Sequence, residues 1–199
     1  PAPPASALDA QVVSDVFGVR AVVRTDPVTG SVAVTPIVRG ADLAPAVSGP
    51  RIGLVCGSGA GAGLMRRLAL AGHPLYAGAL NRGEIDRAVA AAVGAGMAEL
   101  PAFGEVDETV AAEVRAGYAE CACVVVCETP FGGANLPNLQ AALDSGRPLV
   151  LVGEMDGERD FAHGRARVLW DRALERGAVR VDTEADVSGV LGRCGGVEA

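Results

Sequence analysis

Residues 52–71 read IGLVCGSGAGAGLMRRLALA, and the fold follows from how they are read. Ile52, Leu54, Val55 and Cys56 make a short apolar strand. Gly57, Ser58, Gly59, Ala60, Gly61, Ala62 and Gly63 then crowd the point where the chain reverses, a turn that backbone without side chains makes most easily. Leu64, Met65, Leu68, Ala69 and Ala71 recur at helical spacing. Strand, glycine-rich turn and helix in that order open a βα unit, and the free N–H groups of the helix's first turn are a natural seat for an anion. Gly57, Gly59 and Ala62 meet the relaxed G-x-G-x-x-G/A spacing of dinucleotide-binding turns. Two readings stay open: a phosphate cradle, or a Gly/Ala loop that only lets a helix pack closely on a sheet, in a chain with 27 glycines. The acidic residue that holds a ribose about 20 positions further on is replaced by Asn81 and Arg82. This disfavours NAD and leaves Arg82 to meet a 2′-phosphate or another anion.

Outward from this stretch, strands and helices alternate. Residues 75–80, 97–100, 123–127, 148–152 and 178–181 predict strands. Residues 84–93, 108–120, 160–176 and 184–191 predict helices, and another follows the loop at 128–139 and ends near Ser145 and Gly146. Repeated βα alternation implies an α/β, doubly wound, mainly parallel Rossmann-like sheet of about six strands with helices on both faces and right-handed crossovers. Upstream, residues 8–18 carry a weak helical period. Residues 19–24 and 31–38 alternate as strands around TDPVTG, whose Asp26, Pro27 and Gly30 supply hairpin chemistry. The organisation expected is a helix-and-hairpin segment at 1–38, a Gly/Ala/Pro/Ser linker at 39–50 and the α/β domain at 51–199.

Composition supports that class. At 199 residues the chain suffices for one well-buried domain and an appendage. Half of it is apolar and 4% aromatic, so its core is built of Val, Leu and Ala, as suits helices on a parallel sheet. All 17 basic residues are arginine, which removes a P-loop lysine and Schiff-base chemistry. A formal charge of −7 and a pI near 4.8 argue against nucleic acid, which demands clustered positive charge. The run CACVVVC at 121–127 is far short of the roughly 20 apolar residues that cross a bilayer, so the chain itself is expected to be soluble. Pro1–Pro4 reads as a linker edge, with no leader. The cysteines lack metal spacing. Cys121, Cys123 and Cys127 are expected on one side of a strand as small buried hydrophobes, in a reducing compartment.

A second informative loop, ETPFGGANLPNL at 128–139, follows the fourth predicted strand of the domain. In doubly wound sheets ligands bind beyond the carboxyl ends of the strands where strand order reverses. This loop and the 57–63 turn, some seventy positions apart, should therefore face one another across a crevice. Gly132 and Gly133 allow close backbone approach, and Thr129 lies beside them. Asn135 offers an amide or a helix cap, and Asn138 reads as a cap or loop brace. Glu128 at the strand tip is read as a base, a ribose partner, a metal contact or a solvated carboxylate. His73 fits a helix-end dipole partner and His163 a half-exposed helix surface. Ser58 lacks the G-x-S-x-G elbow, and no His/Cys group has zinc spacing.

Two stretches carry a family resemblance. VFGV at 16–19 with DPVTG at 26–30 resembles the tail that follows the ATPase core in ABC transporter ATP-binding subunits of the iron-siderophore, haem and cobalamin import class. IGLVCGSGAGAGLMRRLALAGH, AGALNRGEID and ETPFGGANLPNL resemble an extra C-terminal domain fused to some of these subunits, notably ones assigned to cobalamin uptake. The P-loop, the ABC signature and the magnesium-holding acidic strand end are absent, so this chain alone is expected not to hydrolyse ATP. The resemblance implies partners in an ATPase core and membrane permease subunits, a homodimeric full subunit, and a place at the inner face of the membrane. The resemblance further implies a non-catalytic regulatory domain that binds a small anionic ligand such as a nucleotide, in a subunit that imports a corrinoid or iron chelate. An NADP- or nucleotide-dependent enzyme using Arg82 and Glu128, and a purely structural dimerisation module, remain the alternatives.

Overall fold

The computed structural model describes residues 10–17, 21–26, 29–36 and 47–194. Pro27 and Val28 of the expected turn, residues 39–46 of the expected linker and Pro1–Pro4 lie outside these. The chain divides into two compact units, Pro1–Leu43 and Ala44–Ala199.

In the first unit, helix α1 (Ala10–Phe17) precedes an antiparallel pair, β1 (Ala21–Thr25) and β2 (Val32–Pro36), in register from Ala21 opposite Pro36 to Thr25 opposite Val32. The Asp26 carboxylate closes the turn by accepting the Thr29 N–H at 2.7 Å and its hydroxyl at 3.0 Å. This is the local Asx bonding that makes aspartate a turn residue.

The second unit is the expected doubly wound body. Its elements in order are β3 (Ile52–Val55), α2 (Ala62–Leu70), β4 (Leu75–Asn81), α3 (Ile85–Val93), β5 (Gly96–Leu100), α4 (Glu108–Ala119), β6 (Cys123–Val126), α5 (Leu136–Asp144), β7 (Leu149–Val152), α6 (Arg165–Glu175), β8 (Val179–Val181), a 3₁₀ turn (Glu184–Asp186) and α7 (Val187–Cys194). The six strands are all parallel in the order β5-β4-β3-β6-β7-β8. From the central β3 the chain winds outward to β5, then returns to the other side of β3 as β6, so β3 and β6 flank the switch point. One face buries Tyr118, Phe131, Leu139 and Trp170 against Val124 and Val126. The other buries Leu64, Met65 and Leu68 of α2 with Val187 and Leu191 of α7 against Ile52, Leu54, Cys123 and Val125. Successive strand residues thus serve opposite layers.

Three features depart from the sequence pattern. Residues 160–164 do not join α6: His163 and Gly164 are left-handed (φ 57° and 84°), and the Asp160 carboxylate accepts the N–H groups of Ala162 and Arg167, both at 2.9 Å. His163 is therefore an exposed turn residue preceding the helix. Cys121 packs in the layer opposite Cys123 and Cys127 because it sits in a bend before β6, where alternation has not begun. Finally, β4 is irregular between Tyr76 and Ala79, with Gly78 at φ +65°. A Cβ on Gly78 would stand 2.2 Å from the Tyr118 hydroxyl, which donates to the Leu54 carbonyl at 3.0 Å. Only glycine tolerates both the backbone and the contact.

Candidate functional site

The glycine turn after β3 is closed upon a carboxylate of the chain's own. Asp86, in the first turn of α3, is fully buried, and it accepts the Gly59 N–H at 2.9 Å and the Gly61 N–H at 3.1 Å. The amides expected to receive an external anion thus hold Asp86 instead. Burial raises the Asp86 pKa from its ordinary value, and the Gly59 and Gly61 amides pull in the other direction. The Ala62 and Gly57 amides add to the pull that lowers its pKa. Gly61 is confined as well, since a Cβ there would lie 2.5 Å from the Cβ of Cys56.

The second loop reaches this turn. Buried Thr129 donates its hydroxyl to the Gly57 carbonyl at 3.2 Å, and Cys127 donates its N–H to Val55 O at 2.9 Å. Asn135 stands at the N-cap position of α5, yet its side chain braces the loop: Oδ1 accepts the Gly132 N–H at 2.8 Å and Nδ2 donates to Pro130 O at 2.9 Å. Asn138, 2% exposed, spans to the irregular part of β4, accepting the Ala79 N–H at 3.1 Å and donating to Ala79 O at 2.9 Å. It completes the ladder that β4 leaves open there.

Other candidates point elsewhere. Arg82 is exposed and donates to Glu99 at 2.7 Å, and Arg87 shares the same carboxylate. Hydrogen bonds from Arg82 and Arg87 hold the Glu99 carboxyl below its usual range. Glu128 is exposed and lies over Gly153 at the end of β7, on the opposite side of the β3–β6 switch from Arg82. No hydrogen bond or ion pair among the described residues joins the two. Gly63 faces Glu184 and Arg67, and Gly133 faces the groove between α5 and α6. His73 donates from Nδ1 to the Pro50 carbonyl at 2.9 Å.

What the turn does border is a cavity of about 160 Å³ beyond the carboxyl ends of β3, β4 and β5. Cys56, Gly57 and Ser58 enter it from β3, Asn81 from β4, Glu84 from the start of α3, and Ala134 with Asn135 from the second loop. Ala79, Leu100 and Val106 supply an apolar wall. Ser58 sits at φ 57°, and the neighbouring loop holds Phe103 at φ 60° with 97% of its surface exposed, the kind of backbone cost that collects at functional edges. Burial and the charge of Asp86 raise the Glu84 pKa from its ordinary value, and burial pushes the Cys56 thiol well up, so it stays protonated. Glu84 is missed by sequence reasoning because GEID looks like an ordinary helix start. Its only signal is its place two residues before Asp86.

On the far side of the switch, Arg159 organises the carboxyl ends of β6 and β7. Its guanidinium donates to the carbonyls of Cys127 at 2.9 Å, Val152 at 3.2 Å and Glu154 at 2.6 Å, and stacks 5.1 Å from the Trp170 ring centroid. Nothing in the local sequence distinguishes this arginine from the sixteen others among the 17. Among the described residues no group of three His, Cys, Asp or Glu side chains is placed to hold a metal ion, and no helix is long and apolar enough to cross a membrane.

A doubly wound sheet with a cavity beside its switch point, entered by a self-closed glycine turn, defines the class of this domain, and residues 75–188 match the MJ0874 family. The chain belongs to that family. It is also similar to the cobalamin import ATP-binding protein BtuD of Halobacterium salinarum, in each of two strains, at 28% identity over 183 residues. That alignment covers 92% of this chain and 44% of the relative, so the chain spans less than half the length of the curated relatives it matches. Among solved structures, the FMN-dependent cysteine decarboxylase TvaF from thioviridamide biosynthesis aligns over 75% of this chain and all of its own at 19% identity and a TM-score of 0.48.

Proposed function

We propose that this chain is the carboxyl-terminal part of the ATP-binding subunit of a corrinoid or iron-chelate importer, with the helix-and-hairpin tail at 1–38, the linker at 39–50 and a ligand-binding regulatory domain at 51–199. Its partners on this reading are the ATPase core, through it the membrane permeases, and a second copy within the full subunit. Its place is the cytoplasmic face of the membrane. The observation that carries the reading is the cavity beside the strand-order switch, where Gly57, Ser58, Asn81, Glu84 and Asn135 converge, in a chain similar over 92% of its length to cobalamin import ATP-binding proteins.

Cavity size speaks to how a transported ligand would be sensed. A volume of about 160 Å³ lies well under the roughly 300–1,000 Å³ that encloses a whole drug-sized ligand, so a corrinoid could insert only a side group. The regulatory role is tested with the full-length subunit: its ATP hydrolysis is measured with and without corrinoids, nucleotides and NADP, beside calorimetric titration of the 199-residue chain. The reading expects binding by one of these and a matching change in hydrolysis. Absence of heat with all of them, together with unaltered hydrolysis, refutes it.

A dimerisation role is favoured by a separate feature, the groove of about 430 Å³ between α5 and α6 lined by Leu136, Pro137, Val168 and Leu169. Sedimentation of the chain as a monomer would count against that role.

A further inference from the structure

The chemistry of the cavity selects the kind of molecule it takes. The side-chain amides at its walls each have one N–H engaged, Asn135 Nδ2 with the Pro130 carbonyl at 2.9 Å and Asn81 Nδ2 with the Gly104 carbonyl at 3.2 Å, and the Gly59 and Gly61 amides of the adjoining turn are held by Asp86. Acceptors remain. They are the Glu84 carboxylate, which forms no ion pair among the described residues, and the Asn81 amide oxygen, with the Ser58 hydroxyl able to act either way. No arginine enters the cavity. Arg82 and Arg87, which flank it in sequence, are both engaged with Glu99. Asp86 adds a second negative charge behind Glu84, near enough to be among the causes of its raised pKa. Ala79, Leu100, Val106 and Ala134 offer a hydrocarbon-compatible wall. As to size, an engineered cavity of about 150 Å³ holds benzene, so about 160 Å³ admits a molecule or side group of roughly six heavy atoms.

We infer that the cavity receives a compact, positively charged hydrogen-bond donor on a short apolar stem, a primary ammonium group, with Glu84 as its carboxylate partner and the Asn81 oxygen as second acceptor. This rests on the reading of the cavity as the ligand site and reverses the sign of the ligand expected from the glycine turn. The turn attracts an anion, and Asp86 already is that anion.

The experiment is an amide-resolved NMR titration of the 199-residue chain with n-butylammonium, n-butanol, butyrate and inorganic phosphate as matched probes. The expected result is saturable binding of n-butylammonium with shifts at Ser58, Asn81, Glu84 and Gly104, weaker binding of butanol, and none of butyrate or phosphate. Glu84→Gln, whose side chain caps no helix N–H, is expected to weaken n-butylammonium about tenfold or more, as loss of a charge-assisted bond does. On the unsubstituted chain, carbon-detected titration of the Glu84 carboxyl should show its midpoint fall when n-butylammonium saturates the site, a readout independent of how the variant folds. Butyrate or phosphate binding the same amides at least as strongly overturns the cationic assignment and leaves the cavity as a site. So does corrinoid or nucleotide binding there while n-butylammonium fails. An unchanged midpoint, or undiminished affinity in folded Glu84→Gln, overturns the role of Glu84. If neither the small probes nor corrinoids and nucleotides disturb these amides, the cavity reading falls with the inference.

Discussion

Replacing Asp86 by alanine should be among the most damaging single changes in the α/β unit. The side chain is fully buried and accepts two backbone N–H groups at 2.9 and 3.1 Å. Its removal leaves both donors without a partner in the interior. Each such donor costs about 1–3 kcal/mol, so the expected loss is about 2–6 kcal/mol, set against the 5–15 kcal/mol that typically separates folded from unfolded chains. In a protein of this length that corresponds to a fall in Tm of roughly 4–24 °C. Urea denaturation followed by circular dichroism measures the free energy, and calorimetry the Tm. Asp86→Asn, which keeps one acceptor but turns an amide donor toward a backbone N–H, should lie between alanine and the original. The vacated turn also makes a specific prediction. With Asp86 gone, the Gly59 and Gly61 amides at the start of α2 become the anion seat that a helix N-terminus provides. Inorganic phosphate should therefore raise the Tm of Asp86→Ala and leave the parent chain unaffected. A destabilisation under about 1 kcal/mol, or equal stabilisation of both proteins by phosphate, would refute the reasoning.

Other substitutions follow from the same contacts. Asn138→Ala removes two buried bonds to Ala79 and exposes the irregularity in β4, with an expected loss of about 2–4 kcal/mol by chemical denaturation. Arg159→Ala takes donors from the carbonyls of Cys127, Val152 and Glu154 and a stacking partner from Trp170. Lysine cannot match its planar fork, so both replacements should destabilise, alanine by about 2–4 kcal/mol. Arg82→Ala breaks only an exposed pair whose carboxylate keeps Arg87, and should change stability by less than about 1 kcal/mol. Glu84 has a raised folded pKa caused first by burial and then by Asp86. A carboxyl so raised contributes stability that is present below its unfolded pKa and lost as pH rises through the folded one. Glu84→Gln should thus be more stable than the parent above neutrality and lose that advantage in acid, which paired urea titrations at several pH values would reveal.

The layered α/β body is legible because its signals are local. The apolar run at 123–126 bounded by a bend, the glycine turn at 57–61 and the helix stops at Gly94 and Gly146 each fix an element by their own chemistry. Strand order also follows, since a winding chain with right-handed crossovers leaves few alternatives. What the sequence conceals is set by distant partners. Asp86 lies 25 positions from Gly61 and looks like any acid in a helix's first turn, yet it decides that the glycine turn is closed. Asn138 is 59 positions from Ala79, and Arg159 is 32 from Cys127. The start of α6 is hidden for another reason: Phe161 and Ala162 fit the helical period, and only the left-handed pair His163–Gly164 interrupts it. The meeting of the two loops was legible as topology. The sign of the charge they leave to a ligand was not, because it depends on which donors the fold consumes.

The most direct test of the account is a map of backbone amide shifts across the 199-residue chain as corrinoids and small ammonium probes are added. The responding residues are expected to cluster at Gly57, Ser58, Asn81, Glu84 and Gly104, around the cavity beside the strand-order switch. A response confined to the groove between α5 and α6, or spread evenly over the surface, would contradict it.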